Sequence, residues 1–382
     1  MREPYRIFFP LGLLSAFIGV LCWVPFALGQ TQNYPGTEHP HLMIGGFLFS
    51  FALGFLMTAI PRFTETAPAK SWELLFQAAV ILLMIATGTA SLFSPQWREA
   101  SLLLQIVSLV LLILFCVPRF LSKKRKPPPS FLFIGVGILC GLLGSVLLYL
   151  DERGSISAEL GLTGRSLFYH GMMLSFVIGV GSRLIPVLLG HEANPMNQDA
   201  SPRSSSNPGV LLGLAVVYFL SFPVELFASQ ESGRIARAMV LLFVSFRFWR
   251  IFVPPVRRGS LPLWLRIAGI MLLLGQWSFA LFPGYAVHGV HLTFAGGYSL
   301  LTLLIATRVV LSHGGYDLSL ELKSRWLHVL GALVAASALA RFLAPLAPAS
   351  YVHHLAYASF GWSLGVGMWA FLFLPRMWRK QI

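Results

Sequence analysis

The sequence predicts an all-α polytopic membrane protein with twelve transmembrane helices, and three observations carry that prediction. Hydrophobic residues make up 56% of the chain and charged residues only 11%, where a soluble globule carries about 25% charged residues. Apolar stretches of about 20 residues, the length that spans a hydrocarbon core as helix, recur from end to end. Histidines and arginines also return at corresponding places in every fourth stretch.

The spans fall at 8–29, 40–61, 73–93, 99–118, 131–150, 166–189, 209–228, 235–254, 262–282, 286–311, 327–346 and 351–374. The first follows Arg2 and Arg6 and has no A-x-A-like site after it, so it reads as a retained anchor. The second opens on His39-Pro40-His41 and ends at Arg62. The third and fourth carry Gln77 and Gln105, and a stiff basic linker, Lys123 to Pro129, follows them. The sixth runs from His170 to Arg183. After it comes 192–207, rich in Ser, Asn and Pro, which reads as a flexible cytoplasmic loop within a single integral membrane domain, 1–382. The seventh holds Glu225 and the ninth Gln276. The tenth runs from His288 and His291 to Arg308, with His313 just beyond. Arg341 lies in the eleventh, and His353 and His354 open the twelfth.

A net charge of +14 could suggest nucleic acid, but its distribution argues for topology. With the N-terminus in the cytoplasm, all of the 28 lysines and arginines fall on the inner side except Arg98, Arg153, Arg165, Arg234, Arg237 and Arg341. That bias predicts that both termini are cytoplasmic. The dense runs Arg119 to Lys126 and Arg247 to Arg266 would lie along anionic headgroups. The partner expected is therefore the lipid bilayer, with no nucleic acid. Cys22, Cys116 and Cys140 sit in apolar runs without metal-type spacing and read as buried small hydrophobes.

Spans two, six and ten are the histidine-led ones, so the chain reads as three pseudo-repeats of four helices. Parallel repeats of this kind can place equivalent helices around a common axis. All three run from outside to inside, which puts their histidines outside and their arginines inside.

Neutral imidazole binds haem iron, copper and zinc. The candidate cofactor-binding residues are His41, His170, His288, His291 and Arg341, and the candidate metal ligands are His41, His170, His291 and His313. His288 and His291 are three apart, which places both on one helix face about 4.5 Å apart along the axis. The competing reading, that membrane-surface histidines cap helices and face water, weighs most on His39, His353 and His354. His191 closes the sixth span as His313 closes the tenth. Arg62, Arg183 and Arg308 satisfy the positive-inside rule and can snorkel to headgroups. Arg183 lies about two turns before its helix end, where an anionic group could hold it. Arg341 breaks the topological rule beside the histidine level, where a guanidinium suits a carboxylate such as a haem propionate. The glycines of these helices are sufficiently explained by close helix packing.

Three stretches resemble the NnrS family. His39-Pro-His41-Leu-Met43, with Gly54-Phe-Leu-Met-Thr-Ala-Ile-Pro61, is similar to its second-helix signature. Ala306-Thr-Arg308-Val-Val-Leu-Ser-His313-Gly314 resembles its later arginine-to-histidine signature, and Gly181-Ser-Arg183-Leu-Ile-Pro186 with Gly190-His191 resembles the middle variant. The chain departs from the pattern at Gly314-Gly315-Tyr316, where Thr-Gly-Arg is common, and at Arg62-Phe63, where Asn-Trp is common. The resemblance covers essentially the whole chain. It implies a haem- and copper-containing bacterial inner-membrane protein of the nitric-oxide response, with nitric oxide or an electron donor as further partners.

Two other classes stay open. A transporter would use the repeats to frame a polar pathway, but the outer histidines outnumber the carboxylates set inside spans. A reductase of the haem-copper oxidase type also has twelve helices, yet no histidine lies between His191 and His288 to supply an adjacent copper-binding pair.

Overall fold

A backbone in hydrocarbon must pair its own N–H and C=O groups, so apolar stretches of this length become helices. The computed structural model describes residues 3–192 and 207–378, and among them it contains helices and turns but no strand. Eleven helices are long and apolar enough to cross a membrane. In chain order, α1 is Tyr5–Ala27, α2 Glu38–Thr64, α3 Ser71–Ser91, α4 Trp97–Leu121, α5 Pro129–Glu152, α6 Ala158–Leu189 and α7 Pro208–Phe227. Then come α8, Gln230–Val244 with a π-helical continuation Ser245–Trp249, α9 Ser260–Leu281, α10 Pro283–His313, α11 Arg325–Leu346 and α12 Pro348–Trp378.

Helix α8 is the one departure from twelve apolar spans. Of the stretch expected at 235–254, the part up to Trp249 is helical, and the helix begins earlier and carries Glu231, Arg234, Arg237 and Arg247, so it falls short of the apolarity of the other eleven. The expected flexible loop, 192–207, lies outside the described residues apart from Glu192 and Asn207.

Local chemistry sets the ends. Asn207 accepts from the Gly209 N–H at 2.9 Å with Pro208 in the first turn of α7. Ser229 and Ser324 cap α8 and α11 in the same way. Glu65 and Arg250 adopt left-handed backbone just past α2 and α8.

The chain divides into two compact units, Met1–Pro128 with Gly137–Leu174, and Pro129–Val136 with Ser175–Ile382. In the first, α2 packs against α1, α3 and α4. Phe9 stacks on Phe51 with centroids 4.5 Å apart, and glycine lets the helices close: a Cβ on Gly46 would stand 1.8 Å from Ser15 Oγ. In the second, α10 packs against α9, α11 and α12, around Met271, Leu292, Ala335 and Ala338. Trp369 of α12 donates its indole N–H to Leu303 O and Thr307 Oγ1 of α10, at 3.0 and 2.9 Å. In each of these two quartets the second helix touches the other three.

A second local feature recurs. π-Helical turns occupy His41–Leu48 in α2, Ser166–Met172 in α6 and Leu292–Tyr298 in α10. Such turns are uncommon and concentrate at functional positions. In α2 and α10 a serine reaches a carbonyl within the widened turn: Ser15 donates to Leu42 O at 2.7 Å, and Ser299 to Phe294 O at 2.8 Å. The three helices singled out by histidine all carry this distortion at their histidine ends, and α8, which has no histidine, carries one at its C-terminal end.

Candidate functional site

His41 begins the π-turn of α2, directly after Pro40, and is 8% exposed. Its Nε2 lies 2.9 Å from Ser101 Oγ on α4, and the Ser101 hydroxyl lies 3.0 Å from the Met84 carbonyl on α3. A carbonyl only accepts, so Ser101 spends its single proton on Met84 and accepts from His41. Nε2 therefore carries the ring proton of the neutral imidazole. Nδ1 keeps a bare lone pair, and it is buried without a hydrogen-bond partner. The Phe168 ring lies alongside, 6.3 Å between centroids.

One turn along the same face of α4, Gln105 is fully buried, and neither its amide oxygen nor its amide nitrogen has a partner. The oxygen rests where Gly45 leaves space, 2.5 Å from the position a Cβ would take there. Each orphaned buried polar group costs about 1–3 kcal/mol. Two adjacent side chains of α2 and α4 thus hold three such atoms. His170, the equivalent residue of α6, is buried in its own π-turn within the first unit.

The second unit contains His288 and His291 in the helical turn just before the π-turn of α10. His291 Nδ1 is 2.6 Å from the Val287 carbonyl, so Nδ1 carries the proton and Nε2 the lone pair. His288 is different. Arg341 Nη1 donates to its Nδ1 at 3.0 Å, which assigns the ring proton to Nε2. The Arg341 guanidinium also sits 5.4 Å from the centroid of Tyr351, whose ring meets His288 edge-on. Arg341 is thus engaged with His288 and Tyr351.

The remaining candidates are more peripheral. His39 Nδ1 donates to the Gly19 carbonyl at 2.6 Å, and its ring packs edge-on against Trp23. His353 and His354 contact Tyr357 at the start of α12. His313 is half-buried at the end of α10, and His191 half-buried just beyond α6. Burial, reinforced by the charge of Arg250, holds the His191 imidazole below its ordinary value.

The arginines separate by partner. Arg62 is half-exposed and pairs with Glu3 at 3.0 Å, and Arg183 is half-buried. Arg308 forms a two-bonded clamp on Glu321, with Nε 2.8 Å from Oε2 and a second contact from Nη2 to Oε1. Glu321 is 1% exposed, and burial pushes its carboxyl up while Arg308 pulls it down.

Several polar residues escaped the sequence reading. Arg119, expected among headgroups, is buried and grips Glu73 at 3.0 and 2.8 Å. Arg237, 1% exposed, meets Glu225 and donates to Ser221 at 3.2 Å, while Arg234 reaches the other oxygen of Glu225 at 3.0 Å. Both arginines were expected on the outer surface. An acid near the end of one span and arginines at the start of the next, across a short turn, was the available signal for this triad.

Among the described residues, no group of three or more His, Cys, Asp and Glu side chains is assembled to hold a metal ion. His41 nevertheless fits a metal ligand. Its ring is buried, its N–H is held by a neighbour and its second nitrogen is an unpaired donor, the arrangement in which protein histidines bind metals. His291 is only partly buried and gives its Nδ1–H to the Val287 carbonyl at 2.6 Å. The glycines test differently. Gly46 is closed by Ser15, Gly297 by Leu272 and Gly289 by Ser278, so helix packing accounts for them.

The fold and these residues define a polytopic helical membrane protein with buried histidines at distorted helix starts. A family model described as NnrS protein matches residues 1–381. The chain belongs to the NnrS family. Among curated proteins none matches it.

Proposed function

We propose that the chain is a haem- and copper-binding multi-pass protein of the bacterial inner membrane that acts in the nitric-oxide response and supports tolerance of nitrosative stress. Membership of the NnrS family supports the role. The single structural observation in its favour is His41, whose Nε2–H is given to Ser101 while Nδ1 is buried and unpartnered. Haem and copper, when bound, would supply redox chemistry and affinity for nitric oxide. The protein's own residues would hold and orient them: His41 and His170 from the first unit, His291 from the second. His288 and Arg341 form a supporting pair, with His288 offering an N–H. His313 and the edge histidines lie further from this role.

We propose also that α8 crosses the membrane, which makes twelve crossings and leaves both termini cytoplasmic. Met239, Phe243 and Phe246 are exposed on α8, as lipid-facing residues should be. Arg237 and Arg234 are compensated by Glu225 and by the rings of Phe222 and Phe279, 4.4 and 4.3 Å from the guanidinium carbons. This triad is also the observation that favours the second reading, a transporter, because intramembrane ionisable residues often mark pathways. Its charges are closed on each other, which weighs for a structural part.

The test of the role is growth under a nitric-oxide donor in a strain deprived of its own homologue. The wild-type chain should restore growth, and the His41→Ala/His291→Ala double variant, present at equal level in the membrane, should not. Equal protection by both chains would sink the reading.

A further inference from the structure

We propose that Cys22 and Met43 form a binding site for copper(I) at the outer ends of α1 and α2. The site takes an ion arriving from outside and is separate from the buried histidines, so the sulfur pair does not depend on the haem-and-copper reading above.

In the sequence Cys22 reads as a buried small hydrophobe, but the fold gives it another setting. It lies at the break between the helical segments Tyr5–Leu21 and Trp23–Ala27 of α1, and it is only partly buried, whereas Cys116 and Cys140 are buried. Its thiol donates to the Gly19 carbonyl at 3.1 Å. Met43 of α2, also partly buried, comes to the same glycine. Its Sδ lies 3.2 Å, and its Cγ 3.3 Å, from the position a Cβ on Gly19 would take. Glycine at this position is what admits the thioether to the surface of α1. His39 Nδ1 reaches the Gly19 carbonyl too, at 2.6 Å, and pins the start of α2 to α1 at this level. His39 serves as that anchor and not as a ligand.

A thiolate and a thioether are soft donors, and such a pair selects copper(I) over harder divalent ions. Zinc takes nitrogen, thiolate and carboxylate ligands, and a thioether is not among them. Binding involves no change of oxidation state. The Cys22 S–H bond breaks, a copper–sulfur bond forms, the proton leaves to the outer water, and Met43 Sδ adds a lone pair. Met43 is unbranched and flexible, which lets the two sulfurs close on one ion. It stands two residues after His41 in the same π-turn, His41–Leu48. An ion held by the sulfurs therefore sits beside the helix start that carries the buried imidazole. Passage from the sulfurs to His41 is the one part that rests on the haem-and-copper reading.

The experiment uses the full-length chain in detergent, without oxygen, with copper(I) supplied from a coloured chelator. Cys22 is read by alkylation and mass spectrometry. Copper(I) should protect Cys22, zinc should not, and excess chelator should restore the reaction. Met43→Leu, which keeps the volume close, should lose the protection while its Cys22 still reacts in the absence of copper. Cys22→Ser should lose the sulfur neighbours from the X-ray absorption spectrum of the copper(I)-loaded chain. Equal alkylation with and without copper(I), equal protection in Met43→Leu, or protection by zinc would each overturn the site. A thiol that excess chelator does not restore has been oxidised, and that result overturns it as well. If Cys22→Ser does not fold, the Met43→Leu comparison decides alone. Resident haem and copper in a wild type whose Cys22 is left unprotected would remove this site and spare the haem-and-copper reading. Protection in a wild type without resident metal would do the reverse.

Discussion

His41 and Ser101 share a hydrogen bond that can run in one direction only. The Ser101 proton is committed to the Met84 carbonyl, so Ser101 accepts from His41 Nε2 at 2.9 Å, and the lone pair of Nδ1 stays buried with nothing to bind. Three helices, α2, α3 and α4, are needed to make this one tautomer.

The neighbour of this pair, Gln105, carries a cost in the metal-free chain. Its amide is fully buried with both polar atoms unpaired, and each such group is worth about 1–3 kcal/mol. Gln105→Leu removes both and keeps the volume close. The metal-free variant should therefore unfold at higher temperature or denaturant than the metal-free parent, while its copper affinity falls. A less stable metal-free variant would mean that Gln105 is satisfied as it stands.

The Arg308–Glu321 clamp should behave as a buried ion pair. Burial opposes the charge on Glu321 and Arg308 offsets it, so the attraction is largely consumed by desolvation. Arg308→Leu or Glu321→Leu alone should cost about 3–5 kcal/mol by stranding the other charge, and the double variant should recover most of that loss. Additive losses in a double-mutant cycle would show that the two act independently.

His191 gives a pH dependence of known sign. Its folded-state value lies below the ordinary one, through burial first and Arg250 second. It therefore contributes stability that is present above the ordinary histidine value of about 6.5 and is lost as pH falls through the lowered value. His191→Asn should flatten the acid side of the stability profile relative to wild type and leave pH 8 stability nearly unchanged. Parallel profiles would remove His191 as a source of acid sensitivity.

The helices themselves were legible because hydrocarbon selects for them by length and apolarity, and eleven of the expected spans are helices of that kind. Helix α8 was harder to read, since its arginines look like a boundary until Glu225 and Ser221 are seen to meet them. The histidines stood out by scarcity. Ser101 and Gln105 could not, because serine and glutamine are ordinary in membrane helices. The tautomer they bear on depends on a backbone carbonyl, that of Met84, on a third helix. Glu321 was equally hidden, thirteen residues beyond Arg308 in a polar stretch that gives no sign of burial.

The membrane role of α8 has its own check. A fluorescent protein fused to the C-terminus should light up in bacteria, and alkaline phosphatase at the same place should stay inactive, as cytoplasmic ends require. Active phosphatase there, with a cytoplasmic N-terminus, would mean an odd number of crossings and would take α8 out of the membrane.

The central claim, that buried histidines of this chain hold haem and copper, is tested most directly on the purified wild-type protein. An absorption spectrum and elemental analysis of one sample should show a Soret band together with stoichiometric copper. A sample with neither, purified from cells supplied with both, would contradict the account.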